Sequence, residues 1–477
     1  MVYRMSTMRL VTRRQFLQYA ATTAPALTWG ARLDAWQATV GDPWQRADAI
    51  VRSIVAPKFK AADFDIRKFG AVEGGKASCT DAIRKAIAAC HEAGGGRVVV
   101  PEGRFLTGAV RLRSNVNLHL TDGATLAFSQ DHRDYPIVFT RWEGVELLNV
   151  SPFIYAWEVE NVAVTGRGTL DGQADAEHWW NWRLPAPGTQ GRDRAARNRL
   201  IDMQARGVPV QERVFGPNDY LRPNFIQPYR SRNVLIDGVT IVNSPMWEIH
   251  PVLCRSVTVR NVNIRSHGPN NDGCNPESCR DVLIEGCTFD TGDDCIALKS
   301  GRNDDGRRLN VPVENVVIRN CTMKDGHGGV VIGSEISGGA RNVFAEKCQM
   351  SSPQLDRALR IKTNSVRGGV IEGVYMRDVT VGEVAEAVVT INFFYEEGEG
   401  GKYLPTVKDI DVRNVTSRKS QYALLLRGFK NAPISGVRIE DCTFDGVASG
   451  DLLENVRGIE LRNVRVNGQL RNETISR

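Results

Sequence analysis

Beyond residue 38 the sequence has no apolar run long enough to cross a bilayer, so no stable membrane span is expected. It also lacks a Lys/Arg block and any recognisable nucleic-acid motif. The formal charge is +6, but Arg4, Arg9, Arg13, Arg14 and Arg32 against Asp34 supply four of those charges, leaving about +2 for the rest. That is too little to point to nucleic acid as a partner. Neither the Cys79/Cys90 nor the Cys274/Cys279 spacing makes a zinc site, and no metal or other cofactor is called for. Disorder is excluded as well: 42% hydrophobic and 24% charged residues over 477 positions are ample for a large core.

Glycine, by contrast, is abundant at 45 residues, as suits a chain of many tight turns. The start reads as a targeting segment. Thr12-Arg13-Arg14-Gln15-Phe16-Leu17 is a twin-arginine pattern, and the charge-free stretch from Gln15 to Ala31 is too short and mildly apolar to anchor. Cleavage among the small residues between Gly30 and Ala38 would leave a periplasmic or secreted protein. Ten cysteines would permit disulfides there, with Cys79/Cys90 and Cys274/Cys279 the pairs to examine. The expected division is an export segment (1–38), a lead-in (39–62) and one large domain (63–470) with an insertion at about 172–225.

Asp65 to Ala71 reads as a first strand and turn, and a helical period runs from Thr80 to Ala93 with Ile83, Ala86, Ile87 and Cys90 on one face. Ser78, Thr80 and Asp81 suit its start, and Gly94-Gly95-Gly96 stops it. Strands follow at Arg97–Pro101, Phe105–Gly108 and Val116–Leu120. A single helix before so many strands would cap one end of a stacked sheet and cover its edge.

From Val234 the chain repeats itself. The pattern Val/Ile-x-Val/Ile-x-(Asn/Gly/Asp)-(Val/Cys)-x-(apolar) begins at Val234, Val257, Val282, Val316, Val343, Val374, Ile410, Val437 and Ile459. Alternation with period two gives strands, and intervals of 22 to 36 residues give one solenoid coil per repeat. The alternative, a globular sandwich with chance similarity, does not account for nine recurrences. The sixth slot reads Val239, Val262, Cys287, Cys321, Cys348, Val379, Val415, Cys442 and Val464, so its four cysteines are expected to be buried packing residues. Residues 172–225, with Trp179, Trp180 and Trp182, and residues 301–312 interrupt the pattern. They are walls of a cleft or solvated loops, and the tryptophans pack within the insertion or stack on sugar rings.

The repeat also aligns the turns. Asn270-Asn271-Asp272 falls on Gly292-Asp293-Asp294 and then on Gly326-His327-Gly328. Asn275, Ala297, Val331 and Arg360 form one column, with Glu277, Lys299, Gly333 and Lys362 two positions on. Adjacent coils of a parallel solenoid lie about 4.8 Å apart. Asp272, Asp293, Asp294 and His327 are therefore expected to share one surface with Arg360 and Lys362. Like-charge repulsion should raise at least one carboxyl pKa and keep a proton near neutrality. That is the chemistry of glycosidic hydrolysis, in which one acid protonates the leaving oxygen and another carboxylate activates water. Fixed cations beside it favour an acidic sugar. An Asp-Asp pair alone would more simply be a turn or a calcium site; four clusters on stacked coils would not.

Asn-x-Asp, Gly-Asp-Asp, Gly-His-Gly and Arg-Ile-Lys, in this order and at these distances, resemble the polygalacturonases of glycoside hydrolase family 28. The resemblance covers roughly residues 63–465. It implies an all-β fold, a right-handed single-stranded parallel β-helix with an N-terminal helical cap, and inverting hydrolysis of α-1,4-galacturonate linkages in pectin. It further implies that Asp293 is the general acid, that Asp272 and Asp294 activate water, and that His327 is the active-site histidine. Asn270, Arg360, Lys362 and Tyr395 would bind substrate. Asn271 stands where the family more often has Thr. Cys274-Asn275-Pro276-Glu277-Ser278 and the long insertions resemble bacterial exo-acting members, so trimming of chain ends by a monomer, acting on acidic plant cell-wall polysaccharide, is expected. The alternatives are a rhamnogalacturonan or xylogalacturonan hydrolase, a pectate lyase, which would need a calcium cage, or a non-catalytic carbohydrate-binding β-helix.

Overall fold

The nine repeat starts stack on one another. Val234 pairs with Val257, Val282, Val316, Val343, Val374, Ile410 and Val437 in turn, always parallel and without slippage, and the next strand continues the register to Ile459. The structure is a computed structural model that describes residues 42–184 and 189–477; the twin-arginine segment and its cleavage region lie outside them. The main ladder has 23 strands, and a second parallel ladder climbs alongside through Ile296–Leu298, Val330–Ile332, Arg357–Lys362, Ala387–Asn392, Tyr422–Arg427 and Leu452–Glu454. Residues 46–477 are thus a parallel β-helix.

Each slot of the repeat has a physical reason. The first and third positions are buried apolar residues that fill the interior between the ladders. The fifth slot, Gly238, Asn261, Gly286, Asn320, Lys347, Asp378, Asn414, Asp441 and Asn463, has positive φ on every coil. The chain bends there through left-handed backbone, which Gly, Asn and Asp adopt at least cost. Asparagine amides run from coil to coil at a similar bend, Asn161 to Asn115 (3.1 Å) and Asn233 to Asn161 (3.0 Å).

The helices serve the ends and walls. In chain order the first described is α1 (Pro43–Ser53). Next, α2 (Thr80–Glu92) buries Ala82, Ile83, Ala86, Ile87 and Cys90 against the first strands. Its expected capping hydroxyls do not cap it: the position before the helix is Cys79, and Thr80 Oγ1 accepts a bond from the Gly108 amide (2.7 Å), tying the helix to a strand edge. At the other end Gln469–Ile475 folds back antiparallel on Ile459–Val466 and covers the last edge.

All ten cysteines are unpaired and buried, so neither candidate disulfide forms. Burial pushes the Cys90 thiol up to about 11. Titration with a thiol reagent should therefore find no reactive cysteine in the native protein and ten after denaturation, without prior reduction. Thiols appearing only after reduction would show that the packing column is cross-linked.

Candidate active site

The turn that carries Asp272 is held from beneath by Asn271. This fully buried amide accepts from Ser266 Oγ and the Gly268 amide (both 2.7 Å) and donates to the carbonyls of Ser244 (3.1 Å) and Met246 (3.2 Å). Asn270 sits at φ +56, and its Oδ1 accepts from the buried Arg222 guanidinium at 2.7 Å. Asn270, which sequence reasoning gave to substrate, thus already has a protein partner for its amide oxygen. One coil on, the Cys274–Ile296 bridge places Asp272 beside Asp294. The Ile296–Val330 pairing then places Asp293 beside His327, whose amide donates to Asp293 O (3.1 Å). Gly328 leaves this approach open, because a Cβ there would lie 2.5 Å from Val331 Cγ2.

The carboxylates of Asp272, Asp293 and Asp294 lie within 4.8 Å of one another. Three charges so close need compensation, and it comes from the neighbouring coils. Lys362 Nζ stands 2.6 Å and Arg360 Nη1 3.2 Å from Asp294. Lys299 Nζ lies 3.5 Å from Asp272 and 3.1 Å from Glu335. His327 Nδ1 meets Asp293 Oδ1 at 3.0 Å, and the Asp294 amide reaches the same oxygen at 2.9 Å. Exposure separates the three acids: side chains are 4% exposed for Asp272 and 1% for Asp294, against 18% for Asp293 and 52% for His327.

Burial, with the charges of Asp293 and Asp294 added, raises the Asp272 carboxyl to about 8 against the pull of Lys299. Burial also opposes ionisation of Asp293, but the His327 hydrogen bond and the positive charge of Lys362 prevail and hold it down to about 2. Asp293 in turn raises His327 above its ordinary value through the same hydrogen bond. The balance of these shifts favours Asp272 over Asp293 as the holder of the retained proton, while His327 holds its own proton more tightly than an ordinary imidazole.

Tyr395 lies with its ring 5.2 Å from Lys362 Nζ and 5.6 Å from Arg360 Cζ, so all eight sequence-predicted residues fall in or against this one region. Sequence reasoning gave no role to a second shell of buried charge: Lys299 to Glu335, then Arg302 to Glu335 (3.5 Å) and to Glu143 (3.2 Å), with Arg197 on Glu143 (2.8 Å). Arg302 opens α4 (Asn303–Leu309), so residues 301–312 are a wall and not a solvated loop. The other insertion contributes helix α3 (Arg194–Ala205) and Arg222, while Trp179 and Trp182 are buried against Phe153, Tyr135 and Tyr220 and are not available to stack on sugar.

A further wall was missed entirely. The antiparallel hairpin Ile137–Trp142 and Val145–Val150 lies on the coils N-terminal to the site. The ladder column of Arg360, Val331, Ala297 and Asn275 continues back to His250 and Gln227, and there the hairpin fills it. Thr140 Oγ1 donates to Gln227 Oε1 (2.5 Å), and Arg141, fully buried, stands 3.1 Å from Glu277, which also binds His250 (2.7 Å). The signal was present in the sequence: two apolar runs separated by Glu143-Gly144.

Two groups of donors are close enough to share an ion among the described residues, the three aspartates and His267–Asp290–Asp325. In the first, Lys362, Arg360 and Lys299 already face the carboxylates, so a divalent ion would have to displace fixed cations.

A cleft with three clustered aspartates on a parallel β-helix defines a polysaccharide-processing class, and the comparisons narrow it. The family described as Glycosyl hydrolases family 28 matches residues 218–464. A hyperthermoactive exopolygalacturonase from Thermotoga maritima superimposes with a TM-score of 0.88 at 43% identity, covering 91% of this chain and 98% of that one. A probable polygalacturonase of Vitis vinifera is 29% identical over 79% of this chain and 72% of its own. The exo-poly-alpha-D-galacturonosidase of Dickeya chrysanthemi is 28% identical over 75% of this chain and 62% of its own. The chain belongs to glycoside hydrolase family 28 and is a glycoside hydrolase.

The Asp272 carboxyl has a pKa of about 3.8 unfolded and about 8 folded. The stabilising effect of its folded-state protonation is complete below the lower value and is lost as pH rises through the upper one. Asp272→Asn should therefore raise the melting temperature, by more at pH 8.5 than at pH 5, with a gain of about 1–3 kcal/mol at the alkaline end. Thermal melts at both pH values check this. Equal or lower stability of the variant at pH 8.5 would contradict it.

Proposed function

We propose that this enzyme hydrolyses α-1,4-galacturonosyl linkages of polygalacturonate from chain ends, with inversion. The observation that carries the proposal is the cluster itself: three carboxylates within 4.8 Å, with Arg360 and Lys362 at their edge. The relatives' names, polygalacturonase and exopolygalacturonase, support the substrate class. A bound galacturonate would place its own carboxylate against Lys362 and Arg360, exchanging one anion for another at a site already built for it.

Exposure supports a division of roles among the acids. Asp293 is the acid that the groove reaches, so its carboxyl delivers the proton to the glycosidic oxygen. Both of its hydrogen bonds converge on Oδ1, which leaves Oδ2 for the substrate. The proton comes from His327, passing from Nδ1 to Oδ1, and a turn of the carboxyl about its Cβ–Cγ bond brings it to the glycosidic oxygen. Water attacks from the Asp272–Asp294 side; Asp294, paired with Lys362 and Arg360, takes its proton, and Asp272 orients it. The leaving chain departs with a hydroxyl, and the new anomeric hydroxyl has the inverted configuration. The hairpin supports exo action: Thr140 and Arg141 cover Gln227 and Glu277 on the coils N-terminal to the site, where an open groove would carry the polymer onward. Twin-arginine export, carried by Arg13-Arg14 alone, suits a polymeric substrate met outside the cytoplasm.

Asp293→Asn should lower kcat by at least about a thousandfold with little change in melting temperature, and Lys362→Ala should chiefly raise KM. A variant Asp293→Asn that fails to fold, or that keeps activity, would overturn the assignment. Product analysis on de-esterified polygalacturonate, with and without a chelator, tests the mode of action. Monogalacturonate from the start with slowly falling viscosity is expected; mixed oligomers with rapid viscosity loss would show an open groove, and an ultraviolet-absorbing product would show a lyase.

The pH profile tests the part played by His327. Activity should fall on the alkaline side as His327 loses the proton that Asp293 holds on it, because a group raised by its partner is charged below its shifted pKa and neutral above. His327→Gln should move that limb towards lower pH; an unchanged limb would exclude His327 as the source.

A further inference from the structure

On the outer side of the loops that frame the active site lies an open cleft of about 740 Å³, large enough for a short oligosaccharide. Four cations line it, Arg307, Arg341, Arg367 and Lys402; Arg307 pairs with Asp304 (2.8 Å), Arg341 with Glu314 (2.5 Å) and the buried Arg367 with Glu396 (2.5 Å), and the one acid of the lining, Glu372, is met by Lys408 at 2.9 Å. Its one aromatic is Tyr403, with the Arg307 guanidinium over the ring at 3.6 Å and Lys402 Nζ at 5.4 Å.

The arrangement is built, not incidental. Arg307 Nη1 donates to the carbonyls of Val366 (3.0 Å) and Arg367 (3.1 Å), and the Tyr403 amide donates to Ser365 O (2.8 Å), so both members of the stack are fixed from the same wall. Gly368, at φ +66, makes the room: a Cβ there would lie 2.9 Å from Tyr403 Cβ. Lys402 has no carboxylate partner among the described residues and is exposed, so its charge is available to a ligand. Anchored guanidinium groups, a free ammonium and a phenol ring at a polar wall form a preorganised surface for carboxylates carried on pyranose rings. None of the four acid-base residues of the active site lines the cleft.

We propose that this cleft is a second, non-catalytic binding site for a short polyuronate segment. It would hold the polymer at the enzyme while chain ends are trimmed next door, raising the local concentration of ends without contributing to bond cleavage. The ligand class rests on the polygalacturonate reading above, but the site is read by binding and not by turnover.

The test is calorimetric titration of trigalacturonate into the full-length Asp293→Asn enzyme, alone and with Lys402→Glu and Arg341→Gln added. Two binding events per chain are expected. The added substitutions should weaken one of them by roughly tenfold or more and leave the other unchanged. In the otherwise unaltered enzyme, the same two changes should leave kcat on trigalacturonate as it was. Tyr403→Ala, which disturbs no ion pair, should weaken the same event. A single event insensitive to Lys402, Arg341 and Tyr403 would overturn the proposal, and so would no binding at all. An event that depends on these residues while the enzyme shows no hydrolysis would leave the cleft standing and refute the catalytic reading instead. Displacement of trigalacturonate from the cleft by equimolar inorganic phosphate would show a general anion site and overturn the polyuronate assignment.

Discussion

Everything in this protein depends on parallel coils stacked without slippage. In such a ladder, residues at the same position of successive coils become neighbours at about 4.8 Å, whatever their distance along the chain. The rule is useful for apolar residues, which stack into a continuous interior, and demanding for charged ones. Asp272 and Asp294 are neighbours because Cys274 pairs with Ile296, and nothing about either turn can move one away from the other. The site is therefore a place where the fold enforces electrostatic conflict and then relieves part of it from adjacent coils, with Lys299, Lys362, Arg360 and His327. What is left unrelieved is the proton on Asp272.

The same rule explains what was legible beforehand. Once Val234, Val257 and Val282 are seen as equivalent, the positions of Asp272, Asp293, His327, Arg360 and Lys362 follow by counting, and each lies where counting puts it. Cys287, Cys321, Cys348 and Cys442 were readable as core for the same reason. The left-handed bend was visible as a slot of Asn, Gly and Asp, although its backbone cause was not. Residues outside the period carried no such address. Arg141, Glu143, Arg197 and Arg222 reach the site from the hairpin and the insertion, through pairs such as Arg222–Asn270 and Glu143–Arg302 that lie 48 and 159 residues apart. A spacing argument has nothing to say about contacts of that kind. Which acid keeps the proton was also out of reach, since burial decides it.

Walls made of buried ion pairs are a costly way to close a groove. Removing Arg302 or Glu277 from water is repaid only by near-complete pairing, and the loss of one partner would leave the other charged and buried. An apolar wall would be cheaper, yet it would face a ligand rich in carboxylates and hydroxyls. Arg302 bridges Glu143, Glu335 and Glu396, and so joins the hairpin, the ladder and the Tyr395 loop into one frame. Rigidity of that frame matters because the acids act through tenths of an ångström, and a loosely packed wall would let Lys299 and Glu335 drift from the positions that set the charge on Asp272.

Proton placement is the last constraint. A general acid must carry its proton when substrate arrives, yet Asp293 alone is held ionised by His327 and Lys362. In the proposed mechanism the hydrogen bond at Nδ1 resolves this: His327 supplies the proton to the pair, and as negative charge builds on the glycosidic oxygen the carboxyl hands it over. On that proposal a bound galacturonate would draw Lys362 and Arg360 towards its own carboxylate, weaken their hold on the cluster and raise the affinity of Asp293 for the proton. Substrate binding and acid activation would then be one electrostatic event, which a neutral sugar in the same groove would not trigger.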